Sequence, residues 1–241
     1  MTELTPYVIN LMKQMIECGA LSLRDIEKGE KPFVYSSGNR GPGYVMVKGL
    51  VSQRILLSNL TWCLAAEVLK VFPEVEYVAG NATGGMIPGW LMAEHLSSQA
   101  KRDVPYFYVR GSRKLGGHGE TLTGNTVNKK FFTRGRNGLV VEELVNFAVT
   151  TTNSALEQRD AGYDVRHAAT ILNYDHQENR KLLEQVGVQL THLFTLAQFL
   201  EVAESQLEKR LVDDYREFLR DPKQWQLDRG YNLPMEPLEI P

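Results

Sequence analysis

Residues 138–157 read GLVVEELVNFAVTTTNSALE, and this stretch decides the fold. Leu139-Val140-Val141 is a short apolar run of the kind that fills a buried parallel strand. Two carboxylates, Glu142 and Glu143, follow at once and are expected at the strand end. A run of hydroxyls and one amide comes next: Thr150, Thr151, Thr152, Asn153 and Ser154, expected as a loop. A helical segment, Ala155 to Ala161, then runs to a stop at Gly162. Strand, polar loop and helix in this order suit an anion. The helix N-terminus offers free N–H groups and a partial positive charge, and hydroxyls and amides add donors for phosphate oxygens. Carboxylates meet a different need, accepting from sugar hydroxyls or helping to hold a divalent cation. The plainer reading is a strand-to-helix turn capped by Asn153 or Ser154. The neighbouring acid pair argues for the ligand.

The chain around this stretch has 241 residues and a net charge of −2, enough for one sizeable core and a small appendage and giving no attraction to nucleic acid. No apolar run is long enough to span a bilayer, and the N-terminus, with Glu3, has no signal-like core. Cys18 and Cys63 are too few for a disulfide framework or a zinc site and read as reduced thiols, so a cytoplasmic protein is expected.

Outward from the centre, strands alternate with helices. Upstream lie an amphipathic helix from Thr5-Pro6 to Gly19, a helix over 55–70, and a strand Tyr77 to Gly80. That strand enters a glycine-rich turn, Asn81-Ala82-Thr83-Gly84-Gly85, before a helix starting near Pro88. Glycines there let a backbone approach a ligand with its amides aimed at an anion. It is not a Walker loop, because no Gly-Lys-Ser/Thr follows. Pro105 to Arg110 reads as another strand. A glycine-rich, basic segment with Arg113, Lys114 and His118 follows and reads as a lid over a polyanion. Downstream, 165–174 is a strand ending at Asp175-His176, 177–186 a helix and 190–194 a strand. One long helix is expected from Thr195 to about Leu219, then an irregular tail from Asp221. Between the first two helices, residues 28–48 (KGEKPFVYSSGNRGPGYVMVK) read as short β pieces joined by tight turns. Their Phe33, Tyr35 and Tyr44 either line a flat pocket for a planar ring or simply pack this small region. The alternation predicts an α/β fold, a central five-stranded mostly parallel sheet with helices on both faces, with ligand at the C-terminal strand ends.

These motifs together resemble the type I phosphoribosyltransferases, and among them the orotate phosphoribosyltransferases. The turn Ala82, Thr83, Gly84, Gly85 is similar to the family's pyrophosphate loop. Glu142 and Glu143 with Thr150 to Ser154 resemble the phosphoribosyl diphosphate (PRPP) motif, its acids followed by its phosphate loop. That match needs about four extra residues. Without a gap, Asn146 and Phe147 would take the acidic positions. The gapped form is preferred because the other leaves two glutamates inside a buried strand, which is costly. Phe33, Ser37, Gly38, Pro42, Tyr44 and Lys48 resemble the family's N-terminal hood, over about residues 28–50. Arg110, Lys114 and His118 resemble its catalytic loop, with Arg113 and Lys114 both open as the loop cation. His176 stands where the orotate-using family has the arginine that holds the base's carboxylate. It reads either as a base ligand or as an exposed loop histidine.

The resemblance implies a transferase domain over 1–204, including the hood, and an extension over 205–241. It implies transfer of phosphoribosyl from PRPP to a pyrimidine-like base with release of pyrophosphate, as a step of nucleotide biosynthesis. Mg²⁺ would be carried by PRPP oxygens and water, with no direct protein ligand. The implied catalytic residues are Arg110, Lys114, His118 and Glu143. The implied PRPP contacts are Ala82 to Gly85, Arg113, Glu142, Glu143 and Thr150 to Ser154. Phe33, Ser37, Gly38 and His176 are the implied base contacts. A homodimer whose loop reaches the neighbouring site is implied, with no nucleic acid or membrane partner. The alternative is a PRPP- or nucleotide-binding regulator of the same fold with weak or no catalysis.

Overall fold

The computed structural model describes residues 4–35, 38–110, 122–124 and 132–233. In chain order these form α1 (Pro6–Glu17), β1 (Leu21–Leu23), β2 (Phe33–Val34), β3 (Arg40–Gly41) and β4 (Gly43–Val45). A 3-10 turn (Val47–Ser52) leads to α2 (Arg54–Val71), β5 (Tyr77–Asn81), α3 (Met86–Ala100), β6 (Tyr106–Val109) and β7 (Leu122–Thr123). Then come β8 (Asn137–Val145), α4 (Val149–Asp160), β9 (Asp164–Asn173), α5 (Gln177–Val186) and β10 (Gln189–Thr195). The chain closes with α6 (Leu196–Ala203), α7 (Lys209–Arg220) and α8 (Pro222–Asp228). Two compact units result, one from residues 1–11 and 47–196, the other from 12–46 and 197–241.

The first unit holds a six-stranded sheet in the order β10-β9-β8-β5-β6-β7. Five strands are parallel, as expected, and β7 adds a short antiparallel edge to β6. In the sequence Leu122 and Thr123 fall inside the glycine-rich segment after Arg110. Two-residue pairing at an edge leaves no periodic signal. From β5 the chain moves through α3 to β6 on one side, whereas β8, α4, β9, α5 and β10 advance the other way. Right-handed crossovers therefore place α3 on one face and α4 and α5 on the opposite face. Here α2 packs beside α3, and α4 beside α5. Strands buried on both faces explain the continuous apolar runs of β5 and β8. Tyr77, Phe107, Val140, Val145, Ala155, Val165 and Ala168 belong to one buried cluster.

The reversal of strand order falls between β5 and β8. In open parallel sheets the crevice at such a reversal, at the C-terminal strand ends, is where ligands bind. Among the described residues no helix is long and apolar enough to cross a membrane.

The second unit carries the short β pieces expected of the hood. β1 pairs antiparallel with β4, and β2 with β3. The single long C-terminal helix is corrected to two, α6 and α7, broken at 204–208. The reason is phase. The apolar face of α6 includes Phe199, Leu200 and Ala203, and that of α7 Val212, Tyr215 and Phe218. In one continuous helix Val212 would lie about half a turn from Ala203, so a break is needed to bury both stripes. The irregular tail is also corrected in part. Asp221 caps α8 by accepting the Gln224 N–H at 2.9 Å, and Trp225 and Gln226 are buried.

Candidate active site

The two turns at the sheet's reversal point differ from their expected form in one case and match it in the other. After β5 the chain makes the glycine turn read from the sequence. The Gly85 N–H donates to Asn81 O at 2.8 Å, the Ala82–Thr83 peptide is cis, and α3 begins at Met86. A Cβ on Gly85 would lie 2.3 Å from the carbonyl oxygen of Val141, so the backbones of this turn and of β8 touch. Only glycine permits that approach.

After β8 the expected form is corrected. The strand does not end at the glutamates; it runs on to Val145. Thr150 to Ser154 are not a loop, because α4 begins at Val149. Only Asn146, Phe147 and Ala148 join strand to helix, with Ala148 at φ 63°. Thr152 and Ser154 fit a helix because their hydroxyls bond within it. The Thr152 hydroxyl donates to Ala148 O at 2.9 Å, and Ser154 Oγ accepts from Gln158 Nε2 at 3.1 Å. Thr151, Thr152 and Ser154 are buried, whereas Thr150 and Asn153 are exposed. The first N–H groups of α4 still have no acceptor within the helix.

The buried-strand arrangement that seemed too costly is thus the one adopted, and its cost is met chemically. Glu142 is 7% exposed inside β8, and its Oε1 accepts from Asn81 Nδ2 at 2.6 Å. Burial pushes its carboxyl up to about 8 against the opposing Asn81 bond, with Glu143 adding to the rise. Burial also raises Glu143, partly offset by its own backbone N–H and by the Lys48 ammonium. A neutral Glu142 carboxyl avoids the charge penalty of the interior. The two side chains are hydrogen-bonded to each other. The Glu143 carboxylate lies directly against the turn after β5: a Cβ on Gly84 would come within 1.9 Å of it. Asn81 ties both turns together, its Nδ2 also reaching the carbonyl of Thr150 at 3.4 Å, and its buried Oδ1 has no partner among the described residues. Nothing in the sequence reading singles out Asn81, although an amide closing an apolar strand before a glycine turn is a usable signal.

At the ends of β8 and β9 a second group gathers. His176 Nε2 meets Asn146 Oδ1 at 2.8 Å, and the imidazole stacks on the half-exposed Phe147 ring at 5.2 Å between centroids. Tyr174 lies 5.5 Å from it. Burial holds the His176 pKa below its ordinary value, against the pull of Glu178 and Asp175. Asn179 supports the group from beneath, donating to Asn146 O at 2.8 Å. Arg110 directly follows β6, at the same end of the sheet. Arg113, Lys114, His118 and Ser37 lie outside the described residues.

In the second unit, the Phe33 and Tyr44 rings stand 5.5 Å apart, and the Arg24 guanidinium lies 4.7 Å over Phe33. Tyr35 is committed to packing: its hydroxyl donates to Gly43 O and its ring stacks 6.4 Å from Tyr44. Gly38 turns the chain between β2 and β3 at φ 81°.

No protein-family model matches the chain. Known proteins do. The orotate phosphoribosyltransferase of Lactococcus lactis is 25% identical over 88% of this chain and 95% of its own length. That of Listeria innocua is 28% identical with the same coverage. Among solved structures, orotate phosphoribosyltransferase from Aeropyrum pernix superposes with a TM-score of 0.64 at 26% identity, covering 82% of this chain and 99% of that one. Sequence, sheet order and these likenesses agree: the chain is an orotate phosphoribosyltransferase-like protein of the type I phosphoribosyltransferase fold.

Proposed function

We propose that this protein transfers the phosphoribosyl group of PRPP to a pyrimidine base, orotate, releasing pyrophosphate. The observation that carries the reading is Asn81: its carbonyl accepts the Gly85 N–H of the glycine turn and its Nδ2 reaches Glu142 of β8 and the Thr150 carbonyl of α4, so a glycine turn is held beside the N-terminus of α4. A ligand with two phosphate groups joined by a sugar needs two such anion cradles. The first N–H groups of α4, with exposed Thr150 and Asn153, take the 5′-phosphate. Backbone amides of the Ala82 to Gly85 turn, those of Thr83 and Gly84, take the diphosphate, with Arg110 and the loop cations Arg113 or Lys114 and His118 stabilising charge as it develops on the leaving group. Glu143, between the cradles, accepts from ribose hydroxyls. Glu142, protonated and bonded to Asn81, positions Glu143. His176 and the hood residues Phe33, Ser37 and Gly38 take the base.

Magnesium fits as a companion of the substrate. Among the described residues no three His, Cys, Asp or Glu side chains gather as a metal site, and Glu143 places one hard oxygen donor at the Gly84 turn. The ion would be held by diphosphate oxygens and water, with Glu143 beside them, and when bound it neutralises diphosphate charge. The anomeric carbon is expected to react through an oxocarbenium-like state, which a nearby carboxylate favours. A reading as a non-catalytic binding protein finds no support among the relatives, which are named as enzymes.

The test is pyrophosphate release from PRPP with magnesium across orotate, uracil and purine bases. Release that requires orotate, with formation of the matching nucleotide, is expected. No release with any base would overturn the proposal.

A further inference from the structure

The second unit joins two segments far apart in sequence, and the joining residues are specific. Gln226 of α8 is fully buried. Its Oε1 accepts the backbone N–H of Arg40 at 2.8 Å, and its Nε2 donates to Asn39 Oδ1 at 3.1 Å and to Pro222 O at 2.8 Å. One side chain thus holds the turn between β2 and β3. The rings form a continuous series: Phe33 to Tyr44 at 5.5 Å, Tyr44 to Tyr35 at 6.4 Å, Tyr35 to Phe218 at 5.6 Å, and Phe218 to Trp225 at 5.4 Å. Tyr215 lies so flat on the hood backbone that a Cβ on Gly43 would meet its ring at 2.3 Å. On the other side Arg210 of α7 pairs with the buried Asp25 at 2.5 Å and holds that carboxyl well below the usual range.

Strands of two or three residues do not hold their own geometry, since even a full isolated hairpin is marginal in water. The shape of β2, β3 and β4 is therefore set by what they pack on, and in this unit they pack on α7 and α8. We propose that α7 and α8 are a positioning clamp for the hood. In it Gln226 and Phe218 fix the ring face that Phe33 and Tyr44 offer to the base. The extension after residue 204 thereby belongs to base recognition through the hood it holds. This rests on the function proposed above, in which the hood takes the base.

The test uses the full chain carrying Gln226→Ala, Phe218→Leu or Asn39→Ala, each compared with wild type in three measurements. KM for orotate is expected to rise about tenfold in Gln226→Ala and Phe218→Leu, and less in Asn39→Ala, with kcat at saturating orotate within about twofold. The thermal shift produced by PRPP should be unchanged. Hydrogen exchange should quicken in residues 38–45 and not in β8 or β9. Because Gln226 and Asn39 act as one pair, the double variant should be no worse than Gln226→Ala alone. Should Phe218→Leu not fold, the Asn39 and Gln226 pair still decides the matter. Quickened exchange with an unchanged orotate KM would overturn the clamp, as would a KM rising equally for orotate and PRPP. A wild-type chain that transfers to no base would instead overturn the proposed function, and the clamp's role with it.

Discussion

Two turns meet at the centre of the sheet, and they are built on opposite plans. The turn after β5 is made of backbone: Gly84 and Gly85 have no side chains, and their neighbours approach to distances a Cβ would occupy. The turn after β8 is made of side chains: Asn146, Phe147 and His176 interlock, and the Thr152 hydroxyl bonds to its own helix. A backbone-built turn admits no Cβ where backbone meets backbone, as at Gly85, and carries its signature openly as glycine. A side-chain-built turn can be altered piece by piece, and its residues look like ordinary polar and aromatic positions until they are seen together.

The largest effect should come from adding a methyl to the first plan. In Gly85→Ala the new Cβ meets Val141 O at 2.3 Å and the backbone N of Asn81 at 2.9 Å, neither of which can move aside cheaply. A loss of about 1–3 kcal/mol in stability is expected, as in other overpacked sites, together with loss of PRPP binding. Denaturant melts and a PRPP thermal-shift titration read both. Gly84→Ala makes a sharper comparison, because its Cβ meets only the movable end of Glu143. It should fold normally. A Gly85→Ala protein as stable as wild type would mean that the turn is not backbone-built.

Next in size is Glu143, the side chain that lies between the two plans. Glu143→Ala should weaken PRPP binding by about 1.5–3 kcal/mol, the value of a hydrogen bond to a charged acceptor, or roughly ten- to a hundredfold. Phe147→Ala should leave PRPP affinity nearly intact. Calorimetric titration of both variants with PRPP decides which residue lies at the ribose. If Phe147→Ala carried the larger loss, the ungapped match would be the correct one.

These expectations follow the line between what could and could not be read from the chain. The turn Ala82 to Gly85 was legible because a glycine pair after an apolar strand has few other uses. The α5 helix was legible to the residue, with Gly187 closing it in the left-handed conformation. Thr150 to Ser154 were not, because a hydroxyl run suits a phosphate loop and a helix end equally, and only tertiary placement shows Thr152 bonding backwards. The placement of Glu142 was misjudged by assuming it ionised; a protonated carboxyl bonded to Asn81 belongs inside a strand. The C-terminal helices failed for another reason. The half-turn slip between Ala203 and Val212 is visible only if the apolar phase is followed across a polar linker. Trp225 is buried against Phe218 of α7 and Gln226 against the turn between β2 and β3, which no local pattern announces.

The protonated glutamate gives a pH test. Its folded pKa is raised to about 8 from an ordinary 4.5, so the folded state holds more protons than the unfolded state between those values. Its contribution to stability is complete below about 4.5 and is lost as pH rises through 8. Thermal melts from pH 5 to pH 9 (a proposed span, about the raised range) should show Tm falling with pH in wild type. Glu142→Gln, neutral throughout and still able to accept from Asn81, should flatten that slope and exceed wild type at the alkaline end. Equal slopes would mean that Glu142 is ionised in the fold.

The smallest effect belongs to His176. An imidazole that replaces an arginine at a carboxylate would give charge-assisted binding only when protonated, which predicts orotate affinity falling as pH rises through the imidazole range. The surroundings move that expectation. Burial lowers the His176 pKa, and the side-chain Oδ1 of Asn146 accepts from Nε2–H, so the ring is neutral near pH 7. Orotate KM should therefore be flat above about pH 6.5, the ordinary histidine value, and should improve only on the acid side. Asn146→Asp sharpens the test, since a carboxylate beside Nε2 should raise the imidazole pKa and carry the acid-side improvement toward neutrality. The gain is one hydrogen bond becoming charge-assisted, about 0.5–1.5 kcal/mol or roughly two- to tenfold in KM. If Asn146→Asp left the pH profile of orotate KM unmoved while PRPP binding stayed intact, His176 would not face the carboxylate. The stacked Phe147 and His176 pair would then be packing alone.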